Sequence, residues 1–228
     1  MTLAQHPYPP TDLLSDEPPL ESSLHLKQIL LLLSCLEWFW RERQDFFAAG
    51  NLSIYYDLDD PKLRRFRGPD FFVVLNTDRR ERLSWMVWEE DNKYPNVIVE
   101  ILSKKTAAID RNQKKQLYQD TFKTPEYFWF HPRTLEFMGL SLEAGTYTEI
   151  TATSQGWRWS QELELYLGVQ DTKLRYFTPD GVMVPTFLEE TARQEQVIAA
   201  AQLRAEQETL RADRLVARLR ELGIDPDQ

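Results

Sequence analysis

VIVEILSKKT, residues 97–106, sets a single glutamate, Glu100, among valines, isoleucines and a leucine. A short apolar run bounded by polar residues is the pattern of a strand buried on both faces. VIVEIL (97–102) therefore reads as the central strand of a sheet. A charge in that setting is costly unless something pairs with it, so Glu100 calls for a cation, a metal ion or a proton.

Outward from this strand, PDFFVVLN (69–76) reads as a second apolar strand, introduced by Pro69. LSIYYD (52–57) reads as another, and so does EYFWFHP (126–132), which Pro132 ends. Between 102 and 126, Asp110 fits a helix N-cap with Gln113 in capping-box position, predicting a helix from Arg111 to about Thr121. Leu24, Ile29, Leu32, Leu33, Leu36 and Phe39 recur at three- and four-residue spacings and predict a helix from Glu21. Gly50-Asn51 reads as a turn, and RRERLSWMVWEEDNKYP (79–95) as a surface excursion.

Residues 135–177 alternate like short antiparallel strands, with hairpin turns at Ala144-Gly145 and Pro179-Asp180-Gly181. From Pro185 the chain is rich in Ala, Glu, Gln, Arg and Leu and free of glycine until Gly223, which predicts one long helix. Leu203 and Leu210 lie a heptad apart, while Leu215, Leu219 and Leu222 leave that register. A pairing helix fits better than a long regular coiled coil. The expected organisation is an extended arm (1–20), a mixed α/β (α+β) domain of helices and sheet (21–184), a C-terminal helix able to drive oligomerisation (185–223) and a tail (224–228).

The chain has 228 residues, 42% of them hydrophobic, which is enough for one ordinary core. Cys35 is the sole cysteine, so an internal disulfide and a cysteine zinc site are both excluded. The first residues lack the basic start and apolar core of a signal peptide. The longest apolar run is interrupted by Glu37 and too short to span a bilayer. A soluble cytoplasmic protein is expected. The net charge of −9 argues against coating nucleic acid through bulk electrostatics, but leaves room for a local basic groove.

Asp70 opens one apolar strand and Glu100 lies within the next. On neighbouring strands the two carboxylates can converge on one divalent cation, and oxygen ligands with water suit magnesium or manganese. Such an ion activates water and stabilises charge on a phosphoryl group. A nearby lysine completes a site for phosphodiester hydrolysis.

Pro69-Asp70, Glu100-Ile-Leu-Ser103, Asp110-x3-Lys114-x3-Tyr118 and Pro125-Glu126-Tyr127, in that order, resemble the Uma-type restriction endonuclease family. That family belongs to the PD-(D/E)xK nuclease-like superfamily, and the resemblance covers roughly residues 21–180. It implies a restriction-endonuclease-like mixed sheet flanked by helices. It also implies a Mg2+- or Mn2+-dependent endonuclease acting on nucleic acid, DNA foremost; the C-terminal helix adds the expectation of a homo-dimer or higher homo-oligomer. Asp70 and Glu100 take the place of the metal-binding acids. In the general pattern the lysine lies two residues beyond the second acid, where this chain has Leu102. The family pattern assigns the catalytic lysine to the following helix, at Lys114, with Lys104 and Lys105 as competitors.

Each assignment has a plainer counterpart. Glu100 can form a structural ion pair with Lys114 or an arginine, Asp70 can cap a turn, and Lys114 can be a solvated helix lysine. Ser103 more often satisfies a strand-end amide than does chemistry, and Tyr118 shares a helical face with Lys114 and reads as core. Glu21 is a further candidate carboxylate, with His25 one turn on able to face the same cleft. Trp85 and Trp88 can stack on bases, but the adjacent Glu89, Glu90 and Asp91 favour burial against a second subunit. Arg64, Arg65, Arg67, Arg79, Arg80 and Arg82 flank the Asp70 strand as a candidate basic face. A catalytically inactive nuclease-fold protein, working through oligomerisation or partner binding, is the alternative function.

Overall fold

Strands without a polar face need cover on both sides, and this chain supplies it with two helical segments and two small sheets. A computed structural model describes residues 11–20, 22–56, 65–103 and 110–222, excepting the side chains of Asp110 and Arg111. The chain divides into two compact units, Met1–Val184 and Pro185–Gln228.

In the first unit, α1 (Ser23–Phe39) starts at the N-cap Ser22, whose hydroxyl accepts from the His25 amide. The strands are β1 (Phe46–Gly50), β2 (Ile54–Tyr55), β3 (Phe66–Arg67), β4 (Phe71–Leu75), β5 (Trp85–Met86) and β6 (Val97–Ile101). A helical crossover, α2, follows in three pieces: Asp110–Lys114 and Tyr118–Phe122 are wound as π-helix around an α-turn at Lys115–Leu117. Lys123, at φ 53°, ends it in the left-handed region, and Pro125 follows. Then come β7 (Glu126–Phe130), β8 (Phe137–Glu143), β9 (Thr146–Glu149), β10 (Arg158–Ser160), β11 (Leu165–Gln170) and β12 (Lys173–Phe177).

The main sheet runs β1-β4-β6-β7-β8-β9, with β6 and β7 parallel across the α2 crossover and the other neighbours antiparallel. This is a mixed α/β fold. Every β6 residue is buried, and alternation splits the strand between two cores. Val97, Val99 and Ile101 meet α1 through Ile29, Leu32 and Leu36, together with Leu165, Leu167 and Leu174 of the sheet β10-β11-β12. Ile98 and Leu102 meet Tyr118 and Phe122 of α2, with Ile54 and Trp85 of the sheet β3-β2-β5. Both expected hairpin turns are present: Ala144-Gly145 joins β8 to β9, and the amides of Thr178 and Gly181 close the turn after β12.

One strand went unread in the sequence, and two readings need correction. FFAAG at 46–50, which no period marked, is the edge strand β1. Trp85 is not held for a second subunit: it is fully buried in its own chain, its indole N–H donates to the Lys93 carbonyl at 2.9 Å, and its ring stacks on Phe47. Nor do Arg79, Arg80 and Arg82 offer a basic face. Arg79 pairs with Glu37, Arg80 with Asp78 and Glu90, and the buried Arg82 with Asp78 and Glu90. Arg64 lies outside the described residues.

Residues 11–20 lie along β2 and β5. Leu13 is buried beside Tyr55 and Met86, and its carbonyl accepts from Ser84. The second unit holds α3 (Phe187–Glu221), opened by a capping box between Thr186 and Glu189, with none of its residues buried. No described helix is long and apolar enough to cross a membrane.

Candidate active site

β4 and β6 pair antiparallel with Phe71 opposite Val99, so extending the register by one residue puts Asp70 opposite Glu100. Asp70 stands just before β4, where the chain bends and its side chain reaches over the end of the ladder. Its Oδ2 accepts the Ile101 amide at 2.7 Å, and its Oδ1 lies 2.9 Å from His25 Nε2 of α1. Burial pushes the Asp70 pKa up, but His25, the nearby Lys114 charge and the Ile101 amide outweigh it and hold the carboxyl below its ordinary value.

Glu100 is fully buried and points from β6 towards α2. Lys114 Nζ donates to its Oε2 at 2.8 Å and the Tyr118 hydroxyl donates to its Oε1 at 2.6 Å. Lys114 and Tyr118 stand four residues apart, on one face of the helical segment. Burial drives the Tyr118 pKa well up, and the Glu100 charge adds to the rise, so the phenol remains a donor.

The structure thus brings Glu100 and Lys114 into contact and sets Asp70 within the field of the same ammonium. Ser103 stands half-buried just past β6, lining a cavity with His25. Glu21, Lys104 and Lys105 lie outside the described residues. Tyr118, read as core, is core and also a ligand of the carboxylate.

Glu17 went unnoticed in the sequence, where it sits in a proline-rich arm with no periodicity. Its carboxylate accepts from the Ser53 hydroxyl at 2.8 Å and occupies the space that a side chain at position 68 would fill, so Gly68 makes room for it. Burial raises the Glu17 pKa, Ser53, Lys114 and Arg67 oppose the rise, and Asp70 adds to it. The only sequence signal was the glycine immediately before Pro69-Asp70.

Among the described residues no group of three or more His, Cys, Asp or Glu side chains is arranged to hold a metal ion. A carboxylate oxygen has two lone pairs, so one that accepts a hydrogen bond can also meet a cation. That donor set suits a cation bound by one or two carboxylates, with water and substrate oxygens completing the shell, the usual habit of magnesium. It does not suit a closed protein cage.

Residues 12–178 match the model of the Uma2 family, described as "Putative restriction endonuclease". The chain belongs to the Uma2 family. No curated protein matches it. Among solved structures it is similar to a crystal structure from Anabaena variabilis, described as a putative nuclease belonging to DUF820. The identity is 14%, covering 68% of this chain and 82% of that one, with a TM-score of 0.49. In this Uma2 chain Leu102 is buried apolar core, so the position two residues past Glu100 carries no cation, whereas Lys114 reaches Glu100 from the crossover.

Proposed function

We propose that this Uma2 chain is a magnesium- or manganese-dependent endonuclease that hydrolyses phosphodiester bonds, DNA foremost. Asp70 and Glu100 hold the ion and Lys114 assists. The observation that carries this reading is the Lys114 ammonium, 2.8 Å from Glu100 and acting on both Asp70 and Glu17. Among the described residues, Lys114 acts on all three carboxylates, Glu17, Asp70 and Glu100, a cluster of oxygen donors that suits a divalent cation. When bound, that ion supplies Lewis-acid stabilisation and a more acidic water. Lys114 is placed to hold the attacking water or offset charge on the phosphoryl oxygens, and Tyr118 fixes the Glu100 carboxylate. Glu17 stands by as a third carboxylate.

The test is cleavage of plasmid DNA, and of RNA, in magnesium or manganese. The wild type cuts, and Asp70→Asn, Glu100→Gln and Lys114→Met each slow cutting by about a hundredfold or more. A wild type that cuts neither substrate, or variants that cut at its rate, would overturn the proposal.

Assembly is a second part of this reading. α3 buries none of its residues while exposing Val197, Ile198, Leu203 and Leu210. A second copy of the same helix is the proposed cover, giving a homo-dimer or higher homo-oligomer.

A further inference from the structure

Beside the acid pair lies a cavity of about 430 Å³, at the carboxyl ends of the parallel strands β6 and β7. Parallel strands leave their ligand crevice at this end, and the volume falls in the range of small-molecule sites. None of the described residues lining it is acidic, in contrast to a chain of net charge −9.

Several donors converge on it. His131, 7% exposed, turns Nδ1 back onto its own loop, where it accepts the amides of Arg133 and Thr134 at 3.1 and 3.2 Å. An Nδ1 that accepts two N–H groups carries no proton, so Nε2 carries it and is a donor. No side-chain partner holds this Nε2–H, or the exposed Arg133 guanidinium, among the described residues. The start of α1 opens onto the same cavity through Ser22 and Leu24, with its open amides and positive dipole end. Ser103 adds a hydroxyl. The loop bearing His131 is pinned by its amide on the Glu136 carbonyl and by the Leu135 amide on its own carbonyl, both 2.8 Å.

We propose that this cavity is a nucleotide subsite, in which His131 Nε2–H, the Arg133 guanidinium and the α1 amides bind a phosphate of the strand next to the bond being cut. The inference rests on the nuclease reading. Ser103 stands two residues beyond Ile101, whose amide holds Asp70. Two extended residues span roughly 7 Å, and one strand of a duplex carries a phosphate about every 3.4 Å of axis, so another phosphate of the same strand falls within reach. Pro19, Leu24 and Pro132 supply apolar wall for a sugar or base.

The test measures anisotropy of a short fluorescent DNA oligonucleotide in EDTA, over a salt series, for wild type, Arg133→Gln and His131→Asn. Asparagine keeps an acceptor for the two loop amides and removes the Nε2 donor. Each variant should bind about tenfold more weakly. Arg133→Gln should also lower the slope of log affinity against log salt by about 0.7–0.9. Manganese affinity and melting temperature should stay at wild-type values. Wild-type binding left unchanged in both variants, at the same salt slope, overturns the subsite and leaves the nuclease reading intact. If the wild type binds no oligonucleotide, inorganic phosphate decides. A shift of the His131 ring proton that Arg133→Gln abolishes upholds a phosphate site and removes nucleic acid as its source, while no shift removes the site.

Discussion

Replacing Lys114 by methionine probes the buried pair at the centre of the site. Glu100 is fully buried and the Lys114 side chain only 12% exposed, so neither charge has much water to return to. Removing one partner of such a pair costs about 3–5 kcal/mol, because the other charge is left uncompensated. With a urea m-value of about 2 kcal/mol/M, the unfolding midpoint should fall by about 2 M. All seven tryptophans lie within the first unit, so their fluorescence follows its unfolding alone. Glu100→Gln keeps an acceptor for the Tyr118 hydroxyl, and the stranded ammonium retains some solvent, so this variant should lose less. The double variant leaves no unpaired charge, and its loss should fall short of the summed single losses by about 2 kcal/mol, near the upper end for residues in contact. A Lys114→Met cost below about 1 kcal/mol, or strict additivity, would refute the picture of a tight buried pair.

Two further outcomes follow from other parts of the fold. Burial pushes the Glu126 carboxyl from 4.5 up to about 7, against the opposing hydrogen bonds from Ser160 and the Gln161 and Glu162 amides. Between those values the folded chain keeps a proton that the unfolded chain has released, so stability falls by about 3 kcal/mol as pH rises through that window. Glu126→Gln, which imitates the protonated acid, should flatten that slope in pH-dependent urea unfolding, and an unchanged slope would exclude Glu126 as its source. Removing residues 187–228 should reduce the molar mass in light scattering to that of a monomer, and an unchanged assembly state would show that α3 is not the contact.

Much of the frame was legible because its elements carry local signals. Ile29, Leu32 and Leu36 give α1 its helical spacing, and the apolar runs at 71–75, 97–101 and 126–130 give three central strands. Lys114 and Tyr118 share a helical face by spacing alone, yet only the packing of α2 on β6 turns both onto Glu100. What escaped lies in irregular backbone or very short pairing. Glu17 is placed by the laying of residues 11–20 along β2, and two-residue strands such as β5 are too brief for a period that would mark Trp85 as core. The arginines at 79, 80 and 82 looked basic as a run, but their partners Glu37 and Glu90 converge only in the fold.

The metal itself offers the most direct measurement. Calorimetric titration with manganese should give a binding isotherm for the wild type, and Asp70→Asn and Glu100→Gln should each weaken it at least about tenfold, the equivalent of 1.4 kcal/mol. Equal manganese affinity in all three proteins would contradict the claim that these two carboxylates share one ion.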